Sequence, residues 1–487
     1  MDKKISKKNR IIPGDIDLQK IKQIHMIAIC GTGMATLAGL LKEKGFLLTG
    51  SDQEVYPPMS TQLEQMGIQI NEGFDPNRLK NADLVIVGNV ISRGNEELET
   101  AFESEIPCLS LPESLNRFFL KDSNPIVVTG THGKTTTSSL LAFLLDSCGK
   151  DPGFFIGGVL ENYGKSFRLG SKGAPFVVEG DEYDSACFDK RPKFVHYPPH
   201  TAILSGIEFD HADIYNNLDE IIEIFKEFLR SMNEKSVLIA NGDDDIVKKI
   251  LPFTKAKTIL YGFGNQCHWQ AKEILETEEG VSFQLFWNGK NQGYFKSPLI
   301  GKHNLKNLLA VLASLNRYGI SLEQTSSYLP QFKGVLRRQQ VRGVVHGMTV
   351  IDDFAHHPTA VRLTLEGLRK AYPKGNLWAV FEPRTATTRR KIFQKAYSQS
   401  FDAADLIIIA PVFKPEKAPP EDRFSALELV NDLKKLGKRA FFFQETDEIV
   451  NHVCKEARER DIIAILSNGG FDGIHEKILR KLNEKKI

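Results

Sequence analysis

The stretch with the clearest chemistry is TGTHGKTTTS, residues 129–138. Gly133, Lys134 and Thr135 match the end of a phosphate-binding loop. Val128 stands where the usual motif has its first glycine, so this loop is short. Backbone amides at the start of the following helix would hold phosphate oxygens, Lys134 would add positive charge and Thr135 would bind Mg²⁺. The sequence therefore predicts a phosphate site formed by Gly130, Thr131, His132, Gly133, Lys134, Thr135 and Thr136.

Magnesium needs further oxygen ligands, and two predicted strands of the same region end in suitable groups. Glu179 ends the strand in VVEGDE, and His211 follows another strand in FDHAD. We therefore expect a metal site formed by Thr135, Glu179 and His211. Asp181 and Glu182 closely follow Glu179 in sequence and could belong to the same metal site. The alternative is that they are solvated turn residues.

Two further stretches carry groups that suit a nucleotide. Asn304 begins a predicted helix in GKHNLKN, where it would bind adenine or, alternatively, cap the helix. Arg337 and Arg338 stand at a predicted domain junction. Paired guanidinium groups there suit a γ-phosphate, and a solvated linker is the alternative.

The first part of the chain contains a glycine turn, CGTGMAT, after a short apolar run at 27–29 that predicts a strand. Gly31 and Gly33 form part of a dinucleotide fingerprint that lacks its third glycine. The pattern favours a diphosphate at the start of the next helix, and a plain tight turn is the alternative.

Length and composition limit the class of protein. The 487 residues predict about three domains, and strands that alternate with helices predict an α/β fold. We place the boundaries at 1–122, 123–332 and 333–487. The net charge of +2 gives no reason to expect nucleic acid, and no apolar run is long enough to span a membrane. The basic start MDKKISKKNR lacks a following apolar segment, and the six cysteines form no CxxC pair, which favours the cytoplasm.

Six motifs occur in a characteristic order over most of the chain: GTHGKTTT, EGDEYDSACFD, FDHADIY, GKHNLKN, GVLRRQ and DDFAHHPT. Together they resemble the Mur ligases of bacterial peptidoglycan metabolism, in which the short phosphate-binding loop is normal. The resemblance implies a Rossmann-like N-terminal UDP-binding domain, a central ATPase domain with a parallel sheet and a Rossmann-like C-terminal domain. It also implies formation of an amide with ATP and Mg²⁺, through an acyl phosphate.

The resemblance assigns roles to individual positions. Lys134, Glu179, His211 and Arg338 would be catalytic. The ATP site would include the loop together with Asn304, Arg338, Asp353 and His356. The UDP-sugar would contact Gly31, Thr32, Gly33, Met34 and Asp52.

Within the family, the GTGM turn and DDFAHHPT resemble the ligases that act on UDP-N-acetylmuramate. SDQEVYPPMSTQLEQMGI, FEPRTATTRR and LSNGGFDGIH resemble, among these ligases, the members that add a peptide recovered from the cell wall. We favour ligation to the recovered tripeptide L-Ala-γ-D-Glu-meso-diaminopimelate, with ligation to L-alanine as the alternative. The tripeptide carries several carboxylates and a distal amine, which suit Arg384, Lys414 and Asn468.

Two other classes of function stay open at this point. A non-catalytic relative that binds UDP-sugars would not need the metal ligands, and a nicotinamide oxidoreductase would lack the phosphate-binding loop. Some relatives carry a carbamylated lysine on a helix after the DH motif. Lys226 occupies such a helix here, and we expect it to be unmodified.

Overall fold

The structure is a computed structural model that describes residues 16–55 and 59–485, so the basic start of the chain lies outside the described residues. The described residues form three large sheets, each built from one continuous part of the chain. Helices follow the strands in all three parts, which confirms the predicted α/β class.

The first sheet has five parallel strands in the order β3-β2-β1-β4-β5. Its strands are β1 Gln23–Ile27, β2 Leu47–Asp52, β3 Gln69–Glu72, β4 Leu84–Val87 and β5 Cys108–Ser110. Its helices are α1 Thr32–Glu43, α2 Met59–Gln65, α3 Glu96–Glu103 and α4 Leu111–Leu115. The strand predicted at 27–29 instead ends at Ile27, because Ala28 has a φ of +65° and begins the turn.

The second sheet has ten strands in the order β17-β16-β15-β14-β13-β12-β6-β9-β7-β8. Its strands are β6 Asn124–Thr129, β7 Gly153–Leu160, β8 Lys165–Arg168, β9 Pro175–Gly180, β12 Thr201–Leu204, β13 Val237–Asn241, β14 Lys257–Gly262, β15 Trp269–Thr277, β16 Gly280–Trp287 and β17 Lys290–Ser297. A separate hairpin consists of β10 Asp184–Ala186 and β11 Asp189–Pro192. The helices are α5 Lys134–Ser147, α6 Leu218–Ser231, α7 Asp245–Ile250, α8 Lys302–Arg317 and α9 Leu322–Tyr328.

The third sheet has six strands in the order β18-β19-β23-β20-β21-β22. Its strands are β18 Gln340–Val345, β19 Met348–Asp353, β20 Leu377–Phe381, β21 Leu406–Ile409, β22 Arg439–Phe442 and β23 Ile462–Leu466. Its helices are α10 Pro358–Ala371, α11 Gln394–Tyr397, α12 Ala426–Lys435, α13 Thr446–Glu456 and α14 Ile474–Glu484.

The centre of each sheet is parallel and buried, which explains the continuous apolar runs of strands such as β20 and β23. Antiparallel strands occur at the edges: β15, β16 and β17 form a meander, and β18 pairs antiparallel with β19. The predicted parallel sheets are therefore confirmed at their centres, while the meander was not predicted. None of the described helices has the length and apolar character needed to cross a membrane.

Candidate functional site

The phosphate-binding loop lies between β6 and α5, as the sequence predicts. Gly130 and Gly133 have φ values of +115° and +80°, which glycine adopts without steric cost. A Cβ atom at Gly130 would lie 2.4 Å from Ser205 Oγ, and one at Gly133 would lie 2.4 Å from Asn307 Oδ1. Both glycines are therefore required by the turn and by the close packing of the loop.

Lys134 is the first residue of α5, and its ammonium group is held inside the loop. Its Nζ donates to the backbone oxygen of Gly130 at 2.7 Å and to both carboxylate oxygens of Glu182, at 2.8 and 3.1 Å. Burial lowers the pKa of Lys134, but the carboxylates of Glu182 and Asp181 outweigh it and hold this pKa above its ordinary value. Glu182 is only 3% exposed, so its interpretation as a solvated turn residue is wrong.

The second residue of α5, Thr135, connects three parts of the chain. Its hydroxyl donates to Glu179 Oε2 at 3.2 Å and accepts from the Arg338 guanidinium at 3.3 Å. The backbone amide of Gly157 donates to the other Glu179 oxygen at 2.7 Å. Burial raises the pKa of Glu179 and lowers that of Arg338. Arg338 therefore reaches the phosphate-binding loop, and the alternative of a solvated linker is wrong for it.

His211 lies in the connection between β12 and α6, and its backbone has a φ of +55°. Its ring packs edge-on against Tyr183, with centroids 4.3 Å apart. Ligand atoms of His211, Asp181 and Glu182 lie within 4.8 Å of one another. The three predicted metal ligands thus divide into a Thr135–Glu179 pair and a His211 cluster. Glu182, a member of the cluster, pairs with Lys134, the residue before Thr135.

These donors suit a hard divalent cation. Hydroxyl and carboxylate oxygens are the ligands that Mg²⁺ prefers, and Thr135 and Glu179 present both kinds side by side. The His211 cluster adds two carboxylates within reach of one ion. The residues present therefore fit the predicted magnesium.

Asn304 and Asp353 are joined through a residue that sequence reasoning missed, Gln339. Asn304 Nδ2 donates to Gln339 Oε1 at 3.2 Å, and the Gln339 amide donates to Asp353 at 2.7 Å. Helix α8 has Gly301 as its N-cap, so the alternative that Asn304 caps this helix is wrong. Burial raises the pKa of Asp353. His356 lies apart from these three residues: its Nδ1 is 3.0 Å from the Phe354 oxygen, and burial lowers its pKa.

The glycine turn of the first sheet lies at the start of α1. Gly31 is the N-cap of this helix, and no side chain caps it, so the amides of its first turn lack a capping oxygen. Thr32 and Gly33 belong to that first turn, and Met34 is buried beneath it. Asp52 stabilises the turn, because its Oδ2 accepts a hydrogen bond from the Cys30 amide at 2.8 Å.

A cavity of about 450 Å³ lies beside His211, between the second and third parts of the chain. Its lining includes four of the predicted site residues: His211, His356, Arg384 and Asn468. Tyr183, Asp210, Phe354, Arg389 and residues 385–387 complete it. Lys414 does not line this cavity; its ammonium lies 5.5 Å from the centre of the Phe413 ring.

The charges in the cavity wall suit a zwitterionic ligand. The Arg384 guanidinium packs 3.6 Å from the Phe413 ring centre and pairs with Glu382 at 3.3 Å. Arg389 lines the same cavity, and burial, with repulsion from Arg384, lowers its pKa. The Asn468 side-chain oxygen is shielded from water and has no hydrogen-bond partner among the described residues. Two arginines and the Asn468 side chain therefore line the same cavity.

Glu208 is a site residue that sequence reasoning missed. Its carboxylate accepts from the Thr359 hydroxyl at 2.7 Å and lies 3.3 Å from His132 Nε2. Its backbone amide donates to Thr131 at 2.8 Å. Glu208 thus connects the phosphate-binding loop to the start of α10. The signal was present in GIEFDH, because Glu208 follows a strand in the same way as His211.

Comparisons with known proteins agree with this geometry. Residues 23–122 match the Mur ligase family catalytic domain, 128–315 the Mur ligase middle domain and 337–469 the Mur ligase glutamate ligase domain. The UDP-N-acetylmuramate–L-alanyl-γ-D-glutamyl-meso-2,6-diaminoheptandioate ligase of Escherichia coli is 38% identical, over 95% of this chain and 99% of its own length.

Two further relatives extend the comparison. The UDP-N-acetylmuramate–L-alanine ligase of Caldanaerobacter subterraneus is 34% identical, over 96% of this chain and 99% of its own length. A crystal structure of a murein peptide ligase from Psychrobacter arcticus has a TM-score of 0.71 and 34% identity, covering 96% of this chain and 100% of that one. Matches of this extent, with three successive Mur ligase domains, show that the chain belongs to the Mur ligase family.

Proposed function

We propose that this chain joins the carboxyl group of UDP-N-acetylmuramate to the amino group of the tripeptide L-Ala-γ-D-Glu-meso-diaminopimelate, with ATP and Mg²⁺. The tripeptide as acceptor is favoured because the Escherichia coli ligase bears this activity in its name and is 38% identical over nearly the whole chain. As a Mur ligase, the chain is an ATP-dependent enzyme that forms C–N bonds, so the interpretations as a binding protein or a nicotinamide oxidoreductase are wrong.

The single structural observation that supports this acceptor is the composition of the cavity beside His211. Arg384 and Arg389 suit carboxylates, because the guanidinium fork binds both oxygens of such a group. The unpartnered Asn468 oxygen suits an ammonium group, because it is an acceptor without a donor. A peptide with several carboxylates and a distal amine supplies all of these partners, whereas L-alanine supplies one carboxylate.

The ATP site that we propose consists of Gly130, Thr131, His132, Gly133, Lys134, Thr135, Thr136, Asn304, Arg338, Asp353 and His356. The loop amides and Lys134 hold the phosphates, and Arg338 approaches them from the other side of Thr135. Thr135, Glu179 and His211 would hold magnesium, which would supply positive charge to neutralise the phosphate oxygens.

The chemistry proceeds in two steps. A carboxylate oxygen of UDP-N-acetylmuramate attacks the γ-phosphorus, and ADP leaves. The peptide nitrogen then attacks the acyl carbon, the C–O bond to phosphate breaks, and the nitrogen loses a proton. Lys134 and Arg338 stabilise the phosphoryl group during its transfer, because both cations are fixed before the reaction begins.

The other assignments follow from the positions of the groups. Gly31, Thr32, Gly33, Met34 and Asp52 form the proposed UDP-sugar site at the start of α1. Arg384, Lys414 and Asn468 form the proposed acceptor site, with Lys414 outside the cavity wall. We retain domain boundaries at 1–122, 123–332 and 333–487, and we place the enzyme in the cytoplasm.

Turnover of ATP with UDP-N-acetylmuramate and a panel of amines tests the proposal. We expect the tripeptide to exceed L-alanine in kcat/KM by at least about 10²-fold, since a site built to pair several charges rejects a ligand that leaves them unpaired. Equal or better turnover with L-alanine would leave the L-alanine ligase as the function. ATP turnover that does not depend on UDP-N-acetylmuramate would contradict both ligation to the tripeptide and ligation to L-alanine.

A further inference from the structure

Arg337 and Arg338 are consecutive residues, yet their side chains reach different parts of the site. Arg338 donates to the Thr135 hydroxyl of the phosphate-binding loop. Arg337 reaches the loop after β23, where its NH2 group donates to the Ser467 oxygen at 2.6 Å and to the Gly469 oxygen at 2.7 Å. The linker between the second and third parts of the chain therefore contacts both the phosphate-binding loop and the cavity wall.

The two carbonyl groups that Arg337 binds lie on either side of Asn468. The Asn468 side chain lines the cavity, and its shielded oxygen has no hydrogen-bond partner among the described residues. A guanidinium that bridges the carbonyl groups of residues 467 and 469 fixes the backbone on both sides of this side chain. The orientation of Asn468 therefore depends on Arg337.

The same loop also supports Arg384. A Cβ atom at Gly469 would lie 2.1 Å from Arg384 Nε, so the arginine packs directly on the loop backbone. The Ser467 hydroxyl donates to Glu382, and Glu382 in turn accepts from Arg384 at 3.3 Å. Movement of the loop would thus displace both residues that we assign to the acceptor.

Arg337 is itself held in place. It has a φ of +64°, which is uncommon for a residue with a side chain and requires support from its surroundings. Its guanidinium lies 5.5 Å from the centre of the Phe354 ring, and Arg338 covers the same ring at 4.6 Å. The Phe354 amide donates to the Arg337 oxygen at 2.8 Å. The Nε atom of Arg337 also lies 3.5 Å from the buried carboxylate of Asp352.

We propose that Arg337 is a positioning residue for the acceptor: it fixes the 467–469 loop so that Asn468 and Arg384 face the cavity. Arg337 lies in the linker between the second and third parts of the chain, and the next residue, Arg338, contacts the phosphate-binding loop. The proposal rests on the proposed function, because it takes the cavity as the acceptor site. The hydrogen bonds of the Arg337 side chain go to the 467–469 loop and not to the phosphate-binding loop, so we expect its main effect on the step that uses the peptide.

The test compares Arg337→Gln and Arg337→Lys with wild type. Loss of the charged double hydrogen bond should raise the KM for tripeptide at least about tenfold in Arg337→Gln. The KM values for ATP and UDP-N-acetylmuramate should stay within about twofold, because no such contact is lost at their sites. Arg337→Lys keeps the charge but loses the planar guanidinium group, so its KM for tripeptide should lie between those of wild type and Arg337→Gln.

A second measurement separates positioning from general damage. Without tripeptide, hydroxylamine traps the acyl phosphate as a hydroxamate, and Arg337→Gln should form it at the wild-type rate. Arg342→Gln is the matched control, because Arg342 also faces Asp352 but does not contact the 467–469 loop. Its KM for tripeptide should match that of wild type.

The outcomes separate the inference from the proposed function. If wild type ligates the tripeptide and Arg337→Gln shows an unchanged KM for it, the positioning role is wrong and the function stands. If Arg337→Gln loses hydroxamate formation to the same extent as tripeptide ligation, the positioning role is also wrong, since the substitution would then have damaged the whole site. If wild type does not ligate the tripeptide, the proposed function itself fails.

Discussion

Lys134 and Glu182 form a buried ion pair in the phosphate-binding loop, with Nζ 2.8 Å from Oε2 and only 14% and 4% of the two side chains exposed. The pair holds the lysine against the Gly130 oxygen, at the base of the loop. Removal of one partner from a buried pair leaves the other charge without compensation. Glu182 therefore positions the cation that we assign to the phosphates.

Lys134→Ala should reduce kcat for ligation by about 10²-fold or more, since it removes a fixed charge that stabilises the transferring phosphoryl group. The measurement is ADP release with saturating UDP-N-acetylmuramate and tripeptide. Lys172→Ala is the control, because Lys172 is exposed in the loop between β8 and β9 and should leave kcat unchanged. Near-normal ligation by Lys134→Ala would show that the loop does not act on phosphate.

Thr135→Ala should raise the concentration of Mg²⁺ needed for half-maximal activity. The substitution removes a hydroxyl that lies 3.2 Å from Glu179, the other oxygen ligand that we propose. Thr135→Ser keeps the hydroxyl and should restore the wild-type requirement. The measurement is a titration of activity with Mg²⁺ for both variants. Equal titration curves for Thr135→Ala and Thr135→Ser would show that the Thr135 hydroxyl is not a metal ligand.

The sequence predicted the phosphate-binding loop because its motif is local: glycines, Lys134 and Thr135 lie within a few residues, between a strand and a helix. Distant partners were harder to foresee. The contact between Arg338 and Thr135 joins residues 203 positions apart, and only the family resemblance placed the two in one site, because neither local pattern indicates the other. Strands β15 to β17 were also missed, because register shifts in both of their pairings interrupt the apolar alternation that indicates a strand.

The predicted acceptor residues show the same limit. Arg384 and Asn468 follow β20 and β23, which are neighbours in the sheet, so the rule that strand ends meet at one edge places them together. Lys414 follows β21, but it has a φ of +49° and lies beside Phe413 instead of lining the cavity. A left-handed turn of this kind is not evident from charge and spacing alone.

Arg384→Ala should raise the KM for tripeptide far more than the KM for ATP or UDP-N-acetylmuramate. The guanidinium lines the cavity and suits a carboxylate, so its loss should cost at least about tenfold in KM. Lys414→Ala is the informative comparison, because Lys414 lies outside the cavity wall and should have a smaller effect. If Lys414→Ala has the larger effect, the peptide binds outside the cavity that we describe.

His357 should make the stability of the protein depend on pH. Burial, with repulsion from His132, lowers the pKa of His357 to about 4 from an ordinary value of 6.5. Asp210 and Glu208 oppose this shift but do not cancel it. Between these two pH values the unfolded chain binds a proton that the folded protein does not, so stability rises with pH. The contribution of His357 is complete above pH 6.5 and is lost as the pH falls towards 4.

His357→Asn should therefore flatten the dependence of the melting temperature on pH between 6.5 and 4. Asparagine still caps α10, where His357 accepts from the Thr359 amide, but it does not titrate. The difference in unfolding free energy across this window should be of order 1–3 kcal/mol. His346→Asn, at an exposed turn, should keep the wild-type slope. Parallel melting curves for wild type and His357→Asn at every pH would show that His357 binds its proton equally in the folded and unfolded chains.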